Sequence, residues 1–88
     1  MTSTAVELTP LATNVEVTAD RLTVELVDGR SISVPIVWFP RLLKADPASR
    51  TRWELIGDGD GIHWPDLDED ISVAGLLRGE RSSERARS

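Results

Sequence analysis

The chain has 88 residues, no cysteine, and a net charge of −5 from 15 acids and 10 Lys/Arg. That length makes one small domain that buries roughly 60–65% of its unfolded surface, and the missing cysteine excludes disulfides, thiolate nucleophiles and zinc–thiolate sites. The negative charge opposes phosphate backbones, so direct nucleic-acid binding is not expected of the chain as a whole. No apolar run approaches the roughly 20 residues of a membrane span. Met1 to Pro10 lacks the charged start and apolar stretch of a secretion signal. A cytoplasmic protein, away from membranes, is the expectation.

Residues 1–12 mix small, polar and isolated apolar side chains and are expected to form a flexible arm. A single domain over residues 13–79 follows. Val15 and Val17, then Leu22, Val24 and Leu26, then Ile32, Val34 and Ile36 alternate with polar neighbours or Pro35. Period two with β-branched residues predicts three half-buried strands. Ala19-Asp20 supplies the first turn. Asp28-Gly29 supplies the second, with the chemistry of a type I′ hairpin. Pro35 has no N–H for a ladder, so strand three ends or lies at an edge there. Pro40 opens a short helix with Leu42 and Leu43 facing the sheet. Asp46 caps a second short helix that begins at Pro47 and ends near Trp53.

Glu54-Leu55-Ile56 and Ile62-His63-Trp64 flank the turn Gly57-Asp58-Gly59-Asp60-Gly61 and read as two short strands or extended arms. Asp70 or Ser72 can cap a last helix from Val73 to Arg78, closed by Gly79. Val73, Leu76 and Leu77 would dock on the core, and Gly75 would weaken that helix. Residues 80–88 have no apolar face and read as a disordered charged tail. The expected fold is α+β: a small antiparallel meander of three strands, plus one or two short strands, packed with two or three short helices.

The charge is uneven. Asp58 to Asp70 holds six acids and no Lys or Arg, whereas Arg78 to Ser88 holds four arginines and two glutamates. The acids do not form a calcium loop. Counting from Asp58 puts Ile62 and His63 where a ligand and a glycine are needed, and counting from Asp66 fails similarly. The acids therefore read as a solvated lip. His63 is the only histidine and has no cysteine to share a metal. Paired with Asp66 or Asp68 it could act as a general base, but Ser72 lacks a glycine-flanked elbow. The blander reading has His63 packed under Trp64 and bonded to a backbone group or an aspartate. Core packing is expected of Trp38, Phe39, Trp53 and Trp64, with one exposed tryptophan as an alternative anchor for a partner. No catalytic residue, metal ligand or cofactor site is assigned.

Several of these residues recur in a known order: Asp28-Gly29-Arg30, Val34-Pro35, Trp38-Phe39-Pro40-Arg41-Leu42, Trp53 through Gly57, Gly61 through Pro65, Leu67 through Val73, and Gly75-Leu76-Leu77. That order resembles the short bacterial proteins catalogued as domain of unknown function 2442, over about residues 13–79. The resemblance implies an α+β fold with a small antiparallel sheet and no established activity. Some relatives add a helix-turn-helix domain, for which residues 80–88 are too few. Others are encoded beside proteins catalogued as domain of unknown function 4160, an arrangement that suggests a toxin–antitoxin type of pair.

The expected function is a small non-catalytic protein-interaction module, in one form the antitoxin-like partner of a basic toxin-like protein. His63, Trp64, Asp66, Asp68 and Asp70 are the candidate partner contacts. A homodimer is compatible with exposed strand edges. The alternatives are a regulatory nucleic-acid-binding accessory protein working through its arginine tail, and an enzyme centred on His63 and the acids.

Overall fold

A computed structural model describes residues 10–81. Strands β1 (Ala12–Val17), β2 (Arg21–Leu26) and β3 (Ser31–Pro35) form an antiparallel sheet in the order β1-β2-β3. A 3-10 turn over Ile36–Trp38 follows, then helices α1 (Pro40–Lys44) and α2 (Pro47–Thr51). Strands β4 (Glu54–Ile56), β5 (Gly61–Trp64) and β6 (Glu69–Ser72) form a second antiparallel sheet in the order β4-β5-β6, and α3 (Val73–Leu77) closes the described fold. The architecture is α+β: two three-stranded antiparallel sheets and three short helices.

The first sheet is the expected meander. Leu22 pairs with Val34 and Val24 with Ile32, so each strand's apolar residues share one face. The pairing of β1 slips between Ala12 and Asn14. This bulge turns both Ala12 and Val15 inward although they are three residues apart. The sheet thus begins at Ala12, one residue before the expected domain start, and residues 1–9 of the expected arm lie outside the described residues. The hairpin at Asp28-Gly29 is not type I′, which needs positive φ at both residues. Among the described non-glycine residues only Asp68 has positive φ, while Gly29 has φ 95°. A three-residue loop, Val27 to Gly29, is closed by the Gly29 N–H bonding the Leu26 carbonyl at 3.1 Å. Only its last residue needs the left-handed region.

Both proline starts behave as expected. Pro40 opens α1, and Asp46 caps α2 by accepting from the Ser49 N–H at 2.8 Å. Ser72, not Asp70, caps α3, accepting from the Gly75 N–H at 2.8 Å. Two apolar assignments need correction. Leu43 is 39% exposed and Leu77 is 42% exposed, because helices of five residues present only one inward turn. Gly75 is more than a weak point. A Cβ there would lie 2.8 Å from Ser72 Oγ and 2.9 Å from Glu80 Oε1, so a larger residue would force these side chains to shift.

The two sheets and the helices share one core. Leu22, Val24 and Val34 come from the first sheet, Ile62, Trp64 and Ile71 from the second, and Phe39, Leu42, Val73 and Leu76 from the helical segments. Burying such side chains contributes about 1.5–3 kcal/mol each before chain entropy is counted. Backbone bonds knit the layers: Ala12 N–H to the Gly59 carbonyl at 2.8 Å and Val73 N–H to the Asp60 carbonyl at 2.9 Å. No helix among the described residues is long and apolar enough to cross a membrane.

Candidate functional site

The acidic stretch ends in β6, which takes in Glu69 and Asp70, while Asp58, Asp60, Asp66 and Asp68 lie in turns. Leu67, Ile71 and Val73 alternate with Asp68, Asp70 and Ser72, which is a strand's period. Glu69 falls on the inward phase and is 5% exposed. A buried acid needs a partner. Arg41 of α1 supplies one, with Nη1 3.6 Å from Glu69 Oε1, and the same Nη1 donates to the Asp68 carbonyl at 2.6 Å.

The structure separates the five candidate contacts. His63 sits mid-sheet, opposite Glu54 on β4 and Asp70 on β6. Its Nδ1–H donates to Asp70 Oδ1. An ionised carboxylate beside the ring fixes the proton on that nitrogen. The partner is Asp70 rather than Asp66 or Asp68, because cross-strand neighbours on one face lie closest. The bond to Asp70 raises the His63 pKa above its usual 6.5. Partial burial opposes the rise, while the charges of Asp70, Glu54 and Asp68 support it. Asp66 is paired with Arg52, Oδ2 to Nε at 2.6 Å. Asp68 stands at φ 52°, a left-handed position that aspartate tolerates in a turn.

Trp64 is a correction. It is 0% exposed, and its Nε1–H donates to the Arg50 carbonyl at 3.1 Å, so it has no surface to offer a partner in this fold. The outward phase of β5 belongs to His63, and the next residue must point inward. Trp38 and Trp53 are half-buried against the core, and the Arg81 guanidinium lies 4.8 Å from the Trp38 ring centroid.

An open groove of about 570 Å³ runs along β6. All of residues 68–72 line it, together with Phe39, Arg41, Ile56, Asp60, Glu80 and Arg81. Five lining residues are acids (Asp60, Asp68, Glu69, Asp70, Glu80) and two are arginines. The groove therefore brings Asp68 and Asp70 together. It does not include Asp66, nor His63, whose ring reaches it only through Asp70. The Ser72 hydroxyl oxygen is committed to the Gly75 N–H, and no hydroxyl among the described residues bonds His63. Among the described residues, no group of three or more His, Asp or Glu is arranged to hold a metal ion.

The family described as a protein of unknown function (DUF2442) matches residues 12–82. The chain belongs to that family. The match starts where β1 starts and takes in every residue of the groove, so the groove is part of the DUF2442 domain itself. No curated protein matches the chain. Two solved structures are similar to it. A crystal structure of a protein of unknown function from Rhodospirillum rubrum is 27% identical, over 90% of this chain and 98% of that one, with a TM-score of 0.73. A solution structure of an uncharacterised protein from Chromobacterium violaceum is 22% identical, over 88% of this chain and 74% of that one, also with a TM-score of 0.73. The second likeness speaks to the fold alone.

The sequence placed Asp60 and Glu69 in one solvated acidic lip but did not show that Glu69 is buried or that Arg41 joins the surface. The alternation from Leu67 to Val73 was the available signal for β6 and for an inward Glu69. Nothing local signals that Arg41 reaches it, because the two residues lie 28 positions apart (69 − 41).

Proposed function

We propose that this DUF2442 protein is a non-catalytic protein-interaction module whose acidic groove takes a basic segment of a partner protein, as the antitoxin-like half of a bacterial pair would. The groove along β6, with five acids against two arginines, carries this reading. Arg41 is already turned onto Glu69 and the Asp68 carbonyl, which leaves Asp60, Asp68 and Asp70 as the groove's outward charge. Opposite charges on a partner would speed encounter and fix register. His63 and Asp70 form a histidine–carboxylate pair with no nucleophile bonded to it among the described residues, which favours binding over catalysis. Arg81 stacks on Trp38 beside Glu80, which favours a protein partner over nucleic acid. The cysteine-free sequence suits a partnership in the reducing cytoplasm.

The test is recovery of partners from the native host by the tagged chain. The wild type and Asp66→Ala, altered outside the groove, are expected to recover the same basic protein. The combined Asp60→Ala, Asp68→Ala, Asp70→Ala variant is expected to lose it, and so is the wild type in roughly 0.5 M salt, where screening is short-ranged. Equal recovery by the groove variant, or recovery of nucleic acid instead, contradicts the reading.

A further inference from the structure

The groove has a backbone floor as well as acidic walls. Among the described residues β6 has one strand neighbour, β5, and no described strand pairs with its other edge, where Arg41 holds only the Asp68 carbonyl just before the strand. The Val73 N–H to Asp60 carbonyl bond sets the phase of that ladder. Hydrogen-bonded and non-bonded pairs alternate in an antiparallel sheet. Ile71 opposite Ile62 is therefore a bonded pair, and Asp70 opposite His63 is not. The N–H and C=O of Asp70 accordingly point away from β5. Asp68 lies in the turn just before β6, at φ 52°, and its carbonyl accepts Arg41 Nη1. Outside the ladder Asp70 makes no backbone bond among the described residues.

We infer that β6 receives its partner by strand addition, with the Asp70 backbone as the anchor. The inference rests on the interaction reading and specifies the ligand: an extended segment that alternates basic and aliphatic residues. Strand addition takes its affinity from main-chain bonds at an open edge and its specificity from alternate side chains. Glu54, His63 and Asp70 form one row across the outer face of the sheet. The next place in that row adjoins Asp70, with Asp68 two residues away, and it suits Arg or Lys. The flanking places face the opposite side, toward Ile71 and Phe39, and suit an aliphatic side chain.

The probe is an eight-residue peptide of alternating arginine and valine, titrated onto the full chain with amide hydrogen exchange as the readout. The peptide is expected to bind and to slow exchange at the Asp70 amide. Asp70→Pro removes the carboxylate and the outward N–H, whereas Asp70→Ala removes only the carboxylate. Proline is thus expected to weaken binding about tenfold beyond alanine, the worth of one hydrogen bond. A peptide N-methylated at its central amides removes the reciprocal bond, from a peptide N–H to the Asp70 carbonyl, on the wild type and independently of how the proline variant folds, and should bind about tenfold more weakly. Binding without protection of Asp70, or with no N-methyl effect, overturns strand addition and leaves the interaction reading standing. Failure of the peptide to bind overturns strand addition as well, while the interaction reading is judged separately by host recovery. Protection of the Asp70 amide before any peptide is added, whether by the chain itself or by a second copy, also overturns it.

Discussion

The two sheets solve the same problem differently. The β1–β3 sheet has strands of six, six and five residues and ties its polar groups to one another, as in Arg21 Nε to Ser33 Oγ at 2.7 Å. The β4–β6 sheet has strands of three, four and four residues. So short a sheet is marginal alone. It depends on Trp64 and Ile62 in the common core and on ties to other elements: Arg41 from α1, Arg52 before β4, and the Trp64 indole on α2. The difference shows where function can sit. The first sheet is scaffold with longer strands and polar ties within itself. The second is held from outside and leaves an acidic edge facing water.

The largest expected effect removes what holds the second sheet. Trp64→Ala empties a fully buried site and should cost about 3–5 kcal/mol in urea unfolding, enough to threaten folding of a domain this size. Retention of wild-type stability would show that the second sheet does not need the core. Gly59→Ala attacks the joint between the sheets. Gly59 has φ 119°, and a Cβ there would lie 2.5 Å from the Ala12 carbonyl oxygen. The expected loss is about 1–3 kcal/mol. Gly29→Ala, at φ 95° but with nothing within 4 Å, should cost less, about 1–2 kcal/mol. Equal losses would remove the joint from the account. Asp46→Ala deletes the α2 cap and should cost about 1 kcal/mol by the same measurement.

A smaller effect is read from pH. The folded state raises the His63 pKa above 6.5, chiefly through Asp70. The contribution is therefore complete below pH 6.5 and is lost as pH rises through the folded value. The unfolding midpoint of the wild type should exceed that of Asp70→Asn by more at pH 5.5 than at pH 8.5. A constant gap would mean that His63 does not sense Asp70. Asp66→Asn breaks only the exposed Arg52 pair and should shift stability by less than about 1 kcal/mol.

The first sheet was legible because its apolar residues alternate with polar ones and its turns carry their own chemistry. Asp46-Pro47 and Ser72 were legible for the same local reason: each satisfies N–H groups within three residues. The second sheet was legible only in part. Ile62 and Trp64 marked β5, but β6 was hidden because its inward phase includes Glu69. An acid amid other acids reads as solvated surface until Arg41 is known to lie opposite. His63 and Trp64 show the same limit. Strand parity puts one outward and the other in the core, and which is which depends on the packing of α2 against the sheet.

Site-specific photocrosslinking in the native host tests the central claim most directly, comparing a photoreactive side chain at Ile56, beside the groove, with one at Val27, 64% exposed on the first sheet's hairpin. The groove position should capture one basic protein, the hairpin position should not, and Asp68→Ala with Asp70→Ala should abolish the capture. The same products from both positions, or capture that survives loss of the two aspartates, would contradict the assignment of the β6 groove as the binding surface.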